Sequence, residues 1–371
     1  MSTTASVFPP TEEVERILVS PGSVTWRHAS DARLYLVMLY ALLLQVAHPT
    51  VGAGVRDYSD FERRPWNRLL RTIDYVTLLV YGGADAAPAG RRLRELHKRF
   101  KGVRPDGERY SALEPDAYAW VHATLIETYV AGHARFGSPM RGAELESFYR
   151  EYRRLGRLIG VRERDLPETW SGFREYFDRT VAEQLVRTES VEQVMAAVRD
   201  VPPPPVPVPE LVWRAVRLPA SSALRIGSVG LMSPELRARL GIDWTRLDEA
   251  RLRAMGAATR SLGPVMPRAL TVTGPAQLKW RREAIARGPL GRGRDRGPAN
   301  PPAPEREHHL CPSRCCVMRK GIASCATQVY DLPRVVCAHL SVLRRPRRDR
   351  LRVRRRDHPA PPADTVVPRA V

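Results

Sequence analysis

An apolar run between Leu34 and Ala47 is the feature that most constrains the fold of this chain. It is about 14 residues long, shorter than the roughly 20 residues that a membrane-spanning helix needs. A helix that is apolar on all sides is typical of the buried centre of a bundle. Ser30 or Asp31 can cap its start, and it ends at Pro49, which two glycines follow. The run therefore predicts a helical protein built around one buried helix.

The rest of residues 22–280 also has helical periodicity, with almost none of the alternation that predicts strands. We expect an all-α fold, a single globular domain of eight to ten helices, with a polyproline connector over residues 201–209. A capping-box spacing, Ser111 to Glu114, precedes a long helix through Trp120. After the apolar helix, the predicted helices span Pro65 to Gly82, residues 89–101, and the stretch from the capping box to about residue 137. Three more span residues 142–158, 167–185 and 190–199. Two or three further helices span residues 210–262, and Ser233-Pro234 opens one of them.

Both ends differ from this domain. Residues 1–21 are an N-terminal extension with no pattern of a signal peptide, so we expect a cytoplasmic protein. Residues 281–371 carry 21 Lys and Arg against 8 Asp and Glu, and all five cysteines lie there. We favour a translated wrong reading frame for this low-complexity segment over a disordered basic tail that binds nucleic acid or membrane. A metal site is a weaker alternative, because the spacing of Cys311, Cys315, Cys316 and His308/His309 fits no standard zinc pattern.

Two arginines and a threonine share the start of the predicted Pro65 helix. Arg68 and Thr72 lie one turn apart, Arg71 lies beside them, and the same face becomes apolar one turn later. Taken alone, the segment is typical of a solvated helix surface. Arginine forks are also what the propionates of a haem group require.

His97 lies on the next predicted helix, on a face that it shares with Leu93, Leu96 and Phe100. A lone histidine on an apolar face is usually a core residue. The functional alternative is an iron ligand, because a neutral imidazole in dry surroundings is what the proximal side of a haem needs. A helix with this histidine beside a helix with Arg68 and Thr72 would meet both needs of a haem.

Three more histidines are candidates for a role in the interior. His48 follows the apolar helix, and at a helix C-terminus its imidazolium is favoured and its side chain can enter a pocket. His122 and His133 lie about three turns apart on the Trp120 helix, and we interpret both as structural. The chain contains no zinc-protease, nucleophile-elbow or phosphate-loop motif.

Four ordered segments resemble the haem b oxygenases related to MpaB and to latex clearing protein (rubber oxygenase). The resemblance is continuous from about residue 22 to 200 and looser to about 275. The segments are Gln45-Val-Ala-His48-Pro49 followed by Gly52 and Gly54; Arg68-Leu-Leu-Arg71-Thr72; His97 followed by Lys101-Gly102; and Gly107-Glu-Arg-Tyr110-Ser-Ala-Leu-Glu-Pro115 leading to Trp120-Val-His122-Ala-Thr124.

The resemblance implies a globin-like helical fold that binds haem b, with His97 as the axial iron ligand and metal-binding residue. It implies that Arg68 and Thr72 lie beside the haem. At the position of Arg71 the family has a lysine, and the arginine of this chain keeps the charge of that lysine but not its geometry. We find no counterpart of the acidic residue proposed as catalytic base in the rubber oxygenases. Without an export signal, rubber itself is not the expected substrate.

The predicted function is therefore a haem-dependent oxygenase that uses dioxygen on a hydrophobic, isoprenoid or lipid-like substrate, by C=C cleavage or oxygenation. Its predicted catalytic residues are Arg68, Arg71, Thr72 and His48. One alternative is a haem or hydrophobic-ligand carrier without turnover. Another is a non-catalytic module that binds nucleic acid or membrane through the tail; the body itself is not expected to bind nucleic acid, and the tail lacks interleaved aromatics for base stacking.

Overall fold

The structure, a computed structural model, describes residues 7–204, 208–267 and 271–275. Within these residues the chain forms thirteen α-helices, a few short 3-10 turns and one two-stranded antiparallel sheet, so the predicted all-α class is confirmed. The predicted tail, with its cysteines, lies outside the described residues. The elements are α1 Thr11–Ile17, α2 Val24–His28, α3 Met38–Ala47, α4 Pro49–Tyr58, α5 Pro65–Tyr81, α6 Ala86–His97, β1 Lys101–Val103, β2 Arg109–Ser111, α7 Pro115–Phe136, α8 Gly142–Leu155, α9 Trp170–Glu183, α10 Glu189–Arg199, α11 Glu210–Val229, α12 Pro234–Arg239 and α13 Arg246–Leu262.

Helices α3 and α7 form the centre of the bundle. Trp120 of α7 is fully buried, and its indole N–H donates a hydrogen bond to the carbonyl oxygen of Leu44, 2.9 Å away. Gln45 of α3 donates to the hydroxyl of Thr124 on α7 at the same distance. The predicted apolar helix is therefore central, but only its second half is α-helical. Residues 32–37 form a 3-10 helix, which begins where the Asp31 carboxylate accepts the backbone N–H of Arg33 two residues later.

The chain turns sharply at His48. Pro49 ends α3 and is also the first residue of α4, a position where its missing N–H costs nothing. The glycines expected after the helix end lie inside α4, and a Cβ on Gly52 would lie 2.5 Å from the carbonyl oxygen of Val46. No single helix among the described residues is long and apolar enough to cross a bilayer; the segments Ala32–Ala47 and Pro49–Tyr58 pass that test only as a pair, bent by 102°.

A hairpin between α6 and α7 was not predicted. Strands β1 and β2 pair Gly102 with Tyr110, and Gly107 turns the chain with a φ of 88°. The predicted capping box lies in the approach to α7 and not inside it: the backbone N–H of Ser111 donates to the Glu114 carboxylate over 2.7 Å, and the helix begins at Pro115. The hairpin joins the end of α6 to the central helix.

Candidate functional site

Helices α5 and α6 form a hairpin that carries most of the predicted site. Pro65 opens α5, a 3-10 turn at Gly83–Asp85 follows it, and α6 runs back along it to end at His97. Antiparallel packing brings the last turn of α6 beside the first turns of α5. Arg68 is close enough for its charge to lower the pKa of His97. Arg68, which bonds to Thr72, therefore lies near His97.

A close backbone contact fixes the position of α6. Gly90 lies against the 3-10 turn Gly156–Ile159, and a Cβ on this glycine would lie 1.9 Å from the carbonyl oxygen of Leu158. Only a residue without a side chain allows the two backbones to approach this closely. Because His97 is two turns further along the same helix, this contact also sets where its imidazole lies.

The imidazole of His97 is held in one tautomer. Its Nδ1 lies 2.7 Å from the carbonyl oxygen of Leu93, so Nδ1 carries the proton and donates it to that oxygen. No hydrogen bond to Nε2 is found among the described residues. Desolvation by burial lowers the pKa of His97; the hydrogen bond to Leu93 opposes this, and the charges of Arg68 and Arg94 lower it further. His97 is therefore a neutral imidazole with a free lone pair on Nε2.

Two aromatic rings and an arginine surround His97. Phe100 and Tyr118 meet the imidazole edge-on, with centroids 5.3 and 6.0 Å from it. The guanidinium of Arg94 covers the other part of the Tyr118 ring, 5.2 Å from its centroid, and the Tyr118 hydroxyl donates to the carbonyl oxygen of Ile159. Leu96, expected on the buried face, is 46% exposed. The last turn of α6 thus buries His97 from one side only.

Arg68 is a cation without an ion-pair partner among the described residues. Its Nη1 donates to the hydroxyl of Thr72 over 2.9 Å, and that hydroxyl donates to the Arg68 carbonyl oxygen over 3.1 Å. The side chain is exposed to water, yet desolvation, followed by the charge of Arg71, lowers its pKa, with Asp60 opposing. Arg68 is therefore placed and charged to receive an anion.

Arg71 lies three residues after Arg68 on α5 and is exposed. Its charge acts on Arg68, as described above, and like charges side by side disfavour each other unless an anion neutralises both. We call Arg68, its neighbour Arg71 and the free Nε2 of His97 a patch, with one potential metal ligand at its half-buried end.

His48 is buried at the bend between α3 and α4, with 7% of its surface exposed. Its Nε2 lies 3.1 Å from the side-chain oxygen of Gln184, and its Nδ1 has no partner. Burial lowers the pKa of His48, with the Gln184 contact and Glu114 opposing, so the predicted preference for imidazolium is wrong. His48 makes no hydrogen bond or ring contact with Arg68 or His97.

His122 and His133 are buried residues that support the fold, as the sequence suggested. Both are buried, and their Nε2 atoms lie 2.8 Å from the carbonyl oxygen of Tyr152 and 3.0 Å from that of His28. Burial lowers the pKa of each to about 4. They are uncharged at neutral pH and hold helices together.

Haem iron needs only one protein ligand, and the described residues contain no group of three or more His, Cys, Asp or Glu side chains that could hold a metal by themselves. The sequence candidates for such a site, Cys311, Cys315, Cys316 and His308/His309, lie outside the described residues. The free Nε2 of His97 and the unpaired charge of Arg68 fit the two polar ends of a haem, its iron and its propionates.

Sequence reasoning missed Tyr118 and the carbonyl oxygen of Leu93. Leu93 is four residues before His97, so the helical spacing could have indicated this hydrogen bond. Tyr118 comes from α7, and no local pattern in the sequence links it to His97.

A family model described as the catalytic domain of the ER-bound oxygenases mpaB/B' and rubber oxygenase matches residues 26–261. Two uncharacterised proteins, one from Mycobacterium bovis and one from Mycobacterium tuberculosis, are each 25% identical to this chain over 231 residues, which is 61% of this chain and 87% of each relative. No solved structure shows significant similarity. The matched residues contain every predicted site residue.

Proposed function

The chain belongs to the family of mpaB-type and rubber oxygenase catalytic domains, and on that premise we propose that it is a haem b-dependent oxygenase acting on a hydrophobic, isoprenoid or lipid-like substrate. The family supports an oxygenase. The haem, the substrate class and the reaction, C=C cleavage or oxygenation, are our proposal from the residues of this chain.

The observation that carries the proposal is the state of His97. Its Nδ1 proton is committed to Leu93, its pKa is lowered, and its Nε2 is free. Proximal histidines of haem proteins need this combination: a fixed tautomer, a neutral ring and one available nitrogen. A histidine serving only the core would have both nitrogens satisfied or sealed from solvent.

Each remaining residue of the patch has a definite part in holding the cofactor. His97 would hold the iron through Nε2, with Phe100 and Tyr118 packed edge-on against its ring. Arg68 would pair with a propionate, and the hydroxyl of Thr72 accepts from the guanidinium that would make this pair. Bound haem supplies the iron at which dioxygen is activated.

The part of Arg71 follows from its charge and exposure. It is exposed near Arg68, where its charge can attract an anionic group of the cofactor or substrate. An arginine side chain serves as a fixed charge and hydrogen-bond donor and not as a general base. His48 does not contact this patch. A catalytic role for His48 would therefore have to be indirect, through Gln184 and the bend between α3 and α4.

The full chain, loaded with haem, tests the proposal by dioxygen consumption with a terpenoid alkene and with the saturated analogue of the same carbon skeleton. We expect consumption with the alkene alone, and its loss in His97→Gln. A haem absorption spectrum without substrate-dependent consumption would support a carrier and contradict the oxygenase. An unchanged spectrum in His97→Gln would contradict the ligand assignment.

A further inference from the structure

The first half of α11 turns its apolar side outward. Leu211 and Leu218 lie on one stripe of the helix and are 80% and 61% exposed; Val212 and Val216, on the adjacent stripe, are 48% and 44% exposed. Trp213, on the opposite side, is 9% exposed. Here we call the exposed side chains the apolar face of α11; they are Leu211, Val212, Ala215, Val216 and Leu218.

This arrangement reverses the usual one for a helix on a globular protein, whose apolar stripe faces the core. The same helix obeys the rule in its second half, where Ile226 and Val229 are buried. The first half is thus an amphipathic segment whose apolar side is largely exposed among the described residues. Contiguous exposed apolar surface of this kind indicates an interaction surface.

The charges around the face favour a lipid surface as its occupant. Arg214 and Arg217 lie on the side away from the face and pair with Glu210 and Asp200 over 2.9 and 3.3 Å. These exposed pairs contribute little to stability and exchange readily with other anions, such as headgroup phosphates. An apolar arc with arginines on the remaining side is the pattern of a helix lying in a membrane interface.

The overall charge points to the same occupant. Residues 281–371 contribute +13 of the formal net charge of +20, and the remaining +7 of residues 1–280 still attracts the chain to an anionic bilayer and opposes contact with a second copy. Trp213 packs edge-on to Trp66, with centroids 6.4 Å apart. This contact holds the side of α11 opposite the apolar face against α5 and leaves the apolar face turned to solvent.

We propose that the apolar face of α11 is a monotopic docking surface that inserts into the interface of an anionic phospholipid bilayer. The helix lies in the plane of the membrane with the two leucines toward the acyl chains and the arginines at headgroup level. The docking does not depend on the haem assignment, because none of its residues contacts His97.

The docked helix would also lie over a cavity of about 460 Å³, whose lining includes Trp213, Arg217 and Pro202. The Trp66 indole donates to the carbonyl oxygen of Pro202 over 2.9 Å, and Trp66 is two residues before Arg68 on α5. If the proposed function holds, α11 would lie between the bilayer and the helix that carries the haem-side arginines. A membrane would then be the source of an apolar substrate.

Flotation of the full chain with phosphatidylcholine vesicles containing one-third phosphatidylglycerol tests the docking. The measurement is made at high salt, about 0.5 M, where attraction between basic residues and lipid is screened. We expect the wild type to float, and Leu211→Gln combined with Leu218→Gln to lower the partition coefficient on the order of a hundredfold. The matched control is Leu247→Gln with Leu262→Gln, two leucines of α13 that are 58% and 56% exposed; it should float like the wild type.

Three results would overturn the proposal. The first is a wild type that stays with the soluble fraction at high salt. The second is equal flotation of both double variants, which would assign the binding to another part of the chain. The third is a wild-type dimer in light scattering that the α11 variant alone dissociates, without vesicle binding, which would make the face an interface between two copies. Far-ultraviolet circular dichroism checks that each variant remains folded.

Discussion

The Nδ1 of His97 lies 2.7 Å from the carbonyl oxygen of Leu93, one turn earlier on the same helix. A side chain that bonds to its own helix in this way is held rigidly without help from any other element. A hydrogen bond to one imidazole nitrogen determines which nitrogen remains for a metal and raises the basicity of that nitrogen. The site therefore depends on α6 itself being well placed.

Removing the His97 side chain should leave a hole that free imidazole can fill. In His97→Gly we expect the Soret absorption of the haem-loaded protein to fall to the level of unbound haem and to return when millimolar imidazole is added, because the ligand is restored without its backbone tether. His28→Gly is the control, since His28 contacts Glu144 and His133 and not this patch. Its spectrum should not change. Absorption of the glycine variant equal to wild type without imidazole would contradict the assignment.

The planar guanidinium of Arg68 should contribute more to haem affinity than its positive charge alone. Arg68→Lys keeps a cation but loses the planar donor pair and the bond to Thr72, so we expect haem to bind on the order of tenfold more weakly. Haem titration followed at the Soret band measures this. Arg63→Lys, an exposed arginine two residues before α5, should bind like the wild type. Equal weakening in both variants would show that only general charge matters.

Acid should destabilise the fold through its buried histidines. The pKa of both His122 and His133 is about 4 in the folded protein, lowered by burial, against an ordinary value of 6.5. As the pH falls from 6.5 toward 4, the unfolded chain takes up protons that the folded chain cannot, so stability is lost across that window. Each histidine accounts for about 3 kcal/mol by this linkage.

The variant that isolates this effect is His122→Gln, which removes one titration. Urea unfolding at about pH 7 and about pH 4.5 should show a smaller loss of stability on acidification in the variant than in the wild type. Burial raises the pKa of Glu127 to about 7, so protonation of this residue stabilises the fold as the pH falls. Its contribution is the same in the variant and the wild type, and it cancels when the two losses of stability are compared. Equal losses in the two proteins would contradict the prediction.

Much of the fold was predictable because proline and glycine mark the helix ends. Pro65 opens α5, Ser233-Pro234 opens α12 with the serine hydroxyl accepting the N–H of Leu236, and the apolar run is central. The hairpin of β1 and β2 was not predictable from periodicity, because three residues are too few to show alternation.

The candidate site was predictable only where it is local. Arg68 and Thr72 interact at a spacing of four residues, which the sequence displays. The state of His48 depends on Gln184, 136 residues away, and burial there outweighs the helix-end preference for a cation. Leu96 shows the same limit: its spacing matches the buried face, but α6 ends one residue later and leaves the leucine with nothing to pack against.

The position of α6 is set by Gly90, so a methyl group there should disturb the site from two turns away. In Gly90→Ala the new Cβ would lie 1.9 Å from the carbonyl oxygen of Leu158 and 2.7 Å from its carbon, which are backbone atoms and cannot rotate aside. We expect a loss of about 3 kcal/mol or more in the free energy of unfolding. Haem affinity should fall as well, because α6 must shift and carry His97 with it.

Gly22→Ala is the matched control, since no atom lies within 4 Å of a Cβ at that glycine. Its unfolding free energy should stay within about 0.5 kcal/mol of wild type. Urea unfolding and haem titration of both variants make the comparison. A Gly90→Ala protein that is destabilised but binds haem normally would mean that α6 is not the element that positions the iron ligand. One that is as stable as Gly22→Ala would mean that the two backbones do not approach this closely.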